Sequence, residues 1–373
     1  MKNKISLLVP RMPTADQIVP YLQEIDSNKH YTNFGPLNKR LEKRVIADVA
    51  PHLNEDNVTT VANCTIGLEL ALHAHGLAPG SRVLVPSLTF VATATAIIRA
   101  GMTPVFADVA RDTWALEPGL AESFIGDVDA VMPVSTFGYP QDVEGWDDLS
   151  ARYGKPVLID AAGAYGNQKV GKVSDVIFSF HSTKSFGAGE GGVVISPSAE
   201  RIATMRRLSN FGIDTSRALL VDLGTNGKMS EYHCAVGLAM YDQWDQIQLA
   251  RRALLSQYRR VLAVTCPEIE FQVKPDAGVY PILPVLLPIG SRAVEVAEIL
   301  KEDGIETRRW YCPPAHLHPA LKGYPSTGAL GVSEDLGERI LGLPFHLDLS
   351  AEQIDFVASS LARAISAHGA KLP

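Results

Sequence analysis

The chain has 373 residues, of which 46% are hydrophobic and 20% are charged, and its formal net charge is -7. The acidic balance argues against proteins that bind nucleic acid, which need a basic face. A single core stops growing near about 250–300 residues, so more than one domain is expected. We predict an N-terminal arm and a large α/β domain over residues 1–250, and a smaller α+β domain over residues 251–373.

No apolar stretch is long enough to cross a bilayer, since the run at 281–288 is short and interrupted by prolines. The apolar run within residues 1–10 is too short for a secretory signal. We therefore expect no membrane partner and a location in the cytoplasm. The cysteines match no zinc-site spacing, so we expect reduced thiols and no metal. They are Cys64, Cys234, Cys266 and Cys312.

Helical and strand patterns alternate along much of the chain. Residues 36–49 carry apolar residues at helical spacing, and residues 87–100 predict a helix capped by Ser87 and ended by Gly101. Residues 228–265 are predicted as a long helical region, and strands and helices alternate again from about 278. Short apolar runs predict strands at 81–86, 103–108, 130–135, 156–160, 176–180 and 192–196. This alternation is typical of a largely parallel sheet covered by helices.

Lys184 lies in an apolar and glycine-rich setting, with Phe178, Phe180 and Phe186 nearby in the chain. Apolar surroundings lower the pKa of an amine and favour its neutral, nucleophilic form. The alternative for a lone lysine is a solvated surface charge. The following residues 187–192 match the three-glycine dinucleotide pattern, on which alone a nicotinamide dehydrogenase would rest. They precede a predicted strand rather than a helix, so we interpret them as a close-packed turn.

Asp160 ends an apolar predicted strand, where ligands bind in open α/β sheets. The alternative is an N-cap for a helix at 161–162. A lysine amine and a buried carboxylate together are what an enzyme that uses pyridoxal phosphate (PLP) needs. The lysine forms a Schiff base with the cofactor, and the carboxylate pairs with the protonated pyridine nitrogen.

Other residues add parts of a cofactor site. The segment from Asn63 to Thr65 opens a predicted helix after a strand, and a helix start of this kind offers N–H groups to a phosphate. Ordinary capping by Thr65 is the alternative. Ser179 supplies a hydroxyl close to Lys184 in the chain. Phe90 follows a predicted strand and has the shape to stack on a flat ring, with core packing as the alternative.

These segments, with those at 32–36, 103–108, 224–231, 309–311 and 343–346, resemble the DegT/DnrJ/EryC1/StrS family of PLP-dependent sugar aminotransferases. The resemblance covers nearly the whole chain. It implies the PLP type I fold, which is aspartate aminotransferase-like, with a mostly parallel central sheet and a smaller C-terminal α+β lobe.

The resemblance also implies roles for single residues. Lys184 forms the Schiff base, Asp160 pairs with the ring nitrogen and Phe90 stacks on the ring. Asn226 reaches the phosphate from the partner subunit, so a homodimer with shared active sites is implied. The phosphate is held by Thr65, the Ile66 amide and Ser179, and Cys64 is a further residue at the cofactor. Candidate substrate contacts are Tyr31, Asn33, His316 and Trp310, with core packing or surface capping as alternatives.

The family pattern implies transfer of an amino group from L-glutamate to a 3- or 4-keto nucleotide-linked deoxysugar. Pyridoxamine phosphate is then the intermediate form of the cofactor, and deoxyaminosugar or polysaccharide biosynthesis is the expected setting. Many members carry Gln or His, touching the ring hydroxyl, where this chain has Gly163. That departure leaves open a PLP-binding protein without transaminase activity, with a regulatory or scaffold role. Lys184 argues against the family branch that has histidine there and carries out dehydration.

Overall fold

The computed structural model describes residues 4–369, so the extreme ends of both predicted domains lie outside the described residues. The helices pack around one large and one small sheet. The α-helices of the described chain are α1 (Ala15–Asn28), α2 (Pro36–Val49), α3 (Cys64–Ala74), α4 (Val91–Arg99), α5 (Pro118–Glu122), α6 (Val143–Tyr153), α7 (Ala199–Ser209), α8 (Glu231–Tyr241), α9 (Trp244–Thr265), α10 (Ala293–Glu302), α11 (Gly331–Arg339) and α12 (Ala351–Gly369). None of them is both long and apolar enough to span a membrane.

The large sheet has the order β1-β7-β6-β5-β4-β2-β3. Isolated parallel bridges, Val131 to Val157 and Val134 to Asp160, join β4 to β5. Strand β7 runs antiparallel to both neighbours, while the other adjacent pairs are parallel. Its strands are β1 (Val58–Val61), β2 (Arg82–Pro86), β3 (Thr103–Ala107), β4 (Ala130–Val131), β5 (Leu158–Asp160), β6 (Asp175–Ser179) and β7 (Gly192–Ile195). The predicted largely parallel sheet is therefore confirmed.

Alternation along the strands places two apolar layers on the two faces of this sheet. Ile159 and Phe178 belong to a core formed with α2, α6 and α8, whereas Leu158 and Ile177 belong to a core formed with α3, α4 and α7. Each of these four side chains is fully buried. Burying such a side chain contributes about 1.5–3 kcal/mol, so both layers hold the strand ends in place.

The C-terminal part has a core of its own. Strands β10 (Leu283–Leu286) and β11 (Ile340–Leu343) pair antiparallel and pack with α9, α10 and α12. Ile5, near the start of the described chain, belongs to the same core and bridges to Ile305. The proposed boundary between residues 250 and 251 falls inside α9, and it stays a prediction.

Three local predictions need correction. The helix expected over 87–100 begins only at Val91, with Phe90 as its N-cap, because the Ser87 hydroxyl bonds His316 instead of capping. The strand expected over 130–135 is regular only at Ala130–Val131. The helical region expected over 228–265 is two helices, α8 and α9, separated by Asp242 and Gln243.

A small hairpin follows α7. Its strands are β8 (Ile213–Asp214) and β9 (Leu219–Leu220), which pair antiparallel. Gly212 at its base has φ +78, and an added Cβ would lie 1.9 Å from the carbonyl oxygen of Asp222, so only glycine fits there.

Candidate active site

A cavity of about 770 Å³ opens at the carboxyl ends of β2, β5 and β6. Ligands bind at this edge in open α/β sheets, because loops diverge there and leave a crevice. Ten of the residues singled out in the sequence line the cavity. They are Asn63, Cys64, Thr65, Ile66, Phe90, Asp160, Gly163, Ser179, Lys184 and Trp310.

Lys184 is held on a tight loop between β6 and β7. Its amide donates to the His181 carbonyl (2.9 Å), and the Ala188 amide donates to the Phe180 carbonyl (2.7 Å). Burial lowers the pKa of the Lys184 amine, while the nearby Cys64 and Asp160 oppose that shift. The lysine is therefore no solvated surface charge, and its neutral form is more accessible than that of an exposed amine.

The glycine-rich turn after Lys184 leads directly into β7, as the sequence indicated. Gly191 has φ +152, and an added Cβ would lie 2.7 Å from Cε of Met229. At Gly192 an added Cβ would lie 2.8 Å from the Phe178 carbonyl oxygen and 2.9 Å from the Cys64 amide nitrogen. The turn is close-packed and opens no helix, so the dinucleotide pattern has no structural counterpart here.

Asp160 lies at the end of β5 and is 4% exposed. The Thr93 hydroxyl donates to its Oδ2 (2.7 Å), and the Ala162 amide donates to its Oδ1 (3.1 Å). Burial raises the pKa of this carboxyl, and both hydrogen bonds and the Lys184 charge counteract the rise. No helix follows the strand, so the alternative of a helix N-cap is wrong.

Helix α3 points its N-terminus into the cavity. Asn63 is the N-cap, and its Oδ1 accepts from the Ile66 amide (3.0 Å), so capping by Thr65 is wrong. Helix geometry leaves the amides of Cys64 and Thr65 without an intrahelical acceptor. A phosphate at this end would meet those two amides directly, whereas the Ile66 amide would have to share its proton between Asn63 and the phosphate.

Cys64 adds a thiol to the floor of the cavity. Its Sγ lies 4.0 Å from Oδ1 of Asp160. Burial raises the pKa of this thiol well above its ordinary value, and the Asp160 carboxylate raises it further. The residue is therefore a neutral thiol, not a thiolate nucleophile.

Phe90 is 58% exposed, so the alternative of core packing is wrong. Its ring centre lies 6.2 Å from that of Tyr311, which also lines the cavity. Tyr311 has φ 58, and its ring stacks on Phe137 with the centres 4.8 Å apart. Burial raises the pKa of the Tyr311 hydroxyl, and the Asp160 charge adds to the rise, so the phenol stays protonated.

Sequence reasoning missed Thr93 and Tyr311, which both line the cavity. Both stand beside residues that had been singled out, Thr93 three positions after Phe90 and Tyr311 next to Trp310. Spacing of i and i+3 on a predicted helix could have indicated Thr93, since such residues share one face. No local signal indicates that Tyr311 lies near Asp160.

Four predicted residues do not line this cavity. Tyr31 is 48% exposed and stacks against Tyr232. Asn33 is exposed, and so is Asn226, which bridges to Asn210. His316 lies between Ser87 Oγ (2.5 Å from Nδ1) and Glu334 Oε1 (3.2 Å from Nε2). Their functional roles stay predictions.

Gly163 lies on the wall of the cavity where the family pattern has a longer polar side chain. An added Cβ would lie 3.4 Å from the Gly138 amide nitrogen and 3.7 Å from Cγ of Pro281. These are ordinary contact distances, so the surrounding structure would accommodate a side chain at this position. Packing therefore does not require glycine here.

Comparison with known proteins identifies the family of this chain. The profile of the DegT/DnrJ/EryC1/StrS aminotransferase family matches residues 14–362. The dTDP-4-amino-4,6-dideoxy-D-glucose transaminase of Shigella dysenteriae is 30% identical over 97% of this chain and 99% of its own. The dTDP-3-amino-3,4,6-trideoxy-alpha-D-glucose transaminase of Streptomyces venezuelae is 33% identical over 81% of this chain and 82% of its own. The crystal structure of DesI, solved in the presence of its TDP-sugar product, has a TM-score of 0.88 and 29% identity, covering 99% of this chain and 95% of that one.

Proposed function

Because this chain belongs to the DegT/DnrJ/EryC1/StrS aminotransferase family, we propose that it is a PLP-dependent aminotransferase acting on a nucleotide-linked ketosugar. The observation that carries the proposal is the half-buried Lys184 and the buried Asp160, which share one cavity at the strand ends. An amine of lowered pKa and a buried carboxylate are the two groups that this chemistry needs.

The residues present fit PLP. The amides of Cys64 and Thr65 and the positive end of α3 suit its phosphate, and the Ser179 hydroxyl faces the same cavity. The exposed Phe90 ring is free to cover one face of a flat heterocycle. Asp160 suits the protonated ring nitrogen, as its carboxylate is desolvated and gains a charged partner there.

When bound, PLP supplies an electron-accepting ring that stabilises negative charge at the Cα of an amine. The protein supplies the proton transfers. Lys184 Nζ, whose pKa burial lowers, accepts the proton from Cα of the amino donor and later returns one. Asp160 would hold the proton on the ring nitrogen, and Phe90 would fix the position of the ring by stacking on its face.

L-glutamate is the proposed amino donor, and the proposed acceptor is a 3- or 4-keto deoxysugar linked to a nucleotide. The names of the relatives support this acceptor class, as they include a dTDP-4-amino and a dTDP-3-amino sugar transaminase. The product is an aminodeoxysugar nucleotide of the kind that supplies polysaccharide biosynthesis. The four cysteines are free thiols, which supports a reducing, cytoplasmic location.

The hairpin β8–β9 supports a homodimer. It carries a run of exposed apolar side chains, which single monomeric surfaces rarely present, and Asn226 follows directly. These side chains are Phe211, Ile213, Leu219, Leu220, Val221 and Leu223. The proposed homodimer buries the hairpin and brings Asn226 to the partner's phosphate site. Sedimentation of the PLP-loaded protein measures this, and a monomer would contradict it.

The substrate proposal is tested with a panel of dTDP-, UDP- and GDP-linked 3- and 4-ketosugars, incubated with glutamate and PLP. Mass spectrometry should detect an aminosugar nucleotide and 2-oxoglutarate in equal amounts for at least one member. Gly163 favours one alternative, a PLP-binding protein without transaminase activity. If glutamate leaves the absorbance of the bound cofactor unchanged and no panel member reacts, the alternative replaces the enzyme.

A further inference from the structure

We propose that Thr93 is a positioning residue that orients Asp160 toward the ring nitrogen of the cofactor. This proposal rests on the proposed use of PLP. It goes beyond that use because it assigns a role to Thr93, for which the sequence predicted none. Thr93 Oγ1 lies 2.7 Å from Asp160 Oδ2, a distance typical of a strong hydroxyl–carboxylate bond. Both side chains are buried, at 1% and 4% exposure.

The two carboxylate oxygens of Asp160 have different partners. Oδ1 accepts from the Ala162 backbone amide and has the Cys64 thiol 4.0 Å away, while Oδ2 accepts from Thr93. An ionised carboxylate only accepts hydrogen bonds. The Thr93 hydroxyl must therefore donate its proton to Asp160. The rotation of the Thr93 side chain about its Cα–Cβ bond then limits how the plane of the Asp160 carboxylate can lie.

A second hydroxyl holds Thr93 in this orientation. Thr89 Oγ1 lies 2.8 Å from Thr93 Oγ1, and Thr89 is 2% exposed. Since the Thr93 proton is directed at Asp160, Thr93 Oγ1 accepts from Thr89, whose other acceptor, the Phe90 carbonyl oxygen, lies farther away at 3.3 Å. The result is a directed chain from Thr89 through Thr93 to Asp160, which favours the ionised carboxylate.

The same turn of helix also carries the stacking ring. Phe90 is the N-cap of α4, and the Thr93 amide donates to the Phe90 carbonyl (3.2 Å). One short segment thus places Phe90 against the face of the proposed cofactor and Thr93 against its carboxylate partner. A shift of this turn would displace both contacts together.

The test compares Thr93→Val, which keeps the shape and removes the hydroxyl, with Thr93→Ser, which keeps the hydroxyl. Thr95→Val is the matched control. Thr95 is on the same helix, and the hydrogen bond of its hydroxyl in the described structure goes to the Ala92 carbonyl. We expect Thr93→Val to weaken PLP binding to the cofactor-free protein by at least about tenfold, the equivalent of one hydrogen bond to a charged group. Thr93→Ser and Thr95→Val should stay within about threefold of wild type.

A second readout is the pH midpoint of the absorbance change of the bound cofactor. In Thr93→Val this midpoint should rise. The ring nitrogen would be protonated less of the time, so its positive charge would oppose protonation of the nitrogen joined to Lys184 less strongly. Equal behaviour of Thr93→Val and wild type would overturn the proposal. Equal loss in the valine and serine variants would also overturn it, since that indicates packing. These readouts need no sugar substrate, so an unreactive panel with intact PLP binding would refute the substrate proposal alone. A wild-type protein that takes up no PLP would refute both.

Discussion

At the level of single residues, the site combines the half-buried Lys184 and the buried Asp160, whose pKa values are displaced in opposite directions. Burial lowers the pKa of Lys184 and raises that of Asp160, so both shifts favour the neutral form of the group. A neutral amine is what proton transfer from carbon needs, and such displaced pairs are concentrated at functional sites. A cationic ring nitrogen would reverse the shift at Asp160 by giving the carboxylate a partner.

We expect Lys184→Ala to lower kcat for the glutamate half-reaction by at least about 10²–10⁴-fold, the usual contribution of a positioned acid–base group. Stopped-flow absorbance with glutamate measures this, and the wild-type band of the lysine-bound cofactor should be absent from the variant. Lys169→Ala, at an exposed lysine outside the cavity, is the control and should behave as wild type. A Lys184→Ala protein with near-normal turnover would exclude the proposed role.

At the scale of elements, contacts between distant segments set the helix starts that build the site. Helix α2 follows Gly35, which has no side chain with which to cap it. The buried Glu231 carboxylate caps it instead and accepts from the amides of Leu37 (2.8 Å) and Asn38 (2.9 Å). Glu231 begins α8, just after the segment that carries Asn226, so the cap ties that segment to the N-terminal arm.

Gly192→Ala tests how tightly β7 must approach α3. The new Cβ would lie 2.8 Å from a carbonyl oxygen of β6 and 2.9 Å from the Cys64 amide, so backbone has to move. We expect a loss of about 1–3 kcal/mol in the free energy of unfolding, seen as a lower thermal midpoint, together with weaker PLP binding at the displaced α3 terminus.

Gly119→Ala is the control for this change, because an added Cβ there has no neighbour within 4 Å. That variant should be neutral or slightly stabilising. A Gly192→Ala protein with a wild-type midpoint and unchanged PLP affinity would contradict the close approach.

At the scale of the whole molecule, the comparisons confirm the predicted family and the aminotransferase fold over nearly the full chain. Helices α3 and α7 are joined to strand β6 by a charge cluster around the buried Asp175, away from the cavity. His75 Nε2, at the end of α3, lies 2.9 Å from Asp175 Oδ2 in β6, and Arg201 Nη2 of α7 lies 2.9 Å from Oδ1. Asp175 is fully buried.

This cluster predicts a pH-dependent stability. Burial alone would raise the pKa of Asp175, but the His75 bond and charge and the Arg201 charge outweigh it, and the pKa is lowered. A lowered carboxyl pKa gives stability that is present above the unfolded value of about 3.9 and is lost as pH falls through the folded value. Asp175→Asn should therefore cost about 3–5 kcal/mol at neutral pH, because it breaks a buried pair.

The thermal midpoints of Asp175→Asn and wild type, measured from neutral to acidic pH, provide the check. The gap between them should begin to narrow below the unfolded pKa of about 3.9 and close as pH falls through the lower pKa of the folded carboxyl. A gap that stays constant into acid would contradict the assignment. Asp26→Asn, at an exposed aspartate, should leave the midpoint unchanged throughout.

Local sequence patterns were enough to predict most helices and strands along the chain, to indicate the family, and to single out Lys184 and Asp160 as candidate site residues. Periodicity and the residues at strand ends are local properties, so Lys184, Asp160 and the start of α3 could be recognised without a fold. Tertiary structure alone decided where α4 begins, because the Ser87 hydroxyl is occupied by His316 from a distant segment. It also decided that Thr93 and Tyr311 face the cavity beside Asp160. Such contacts join residues far apart in the chain, and only the packing of the sheet and its covering helices brings them together.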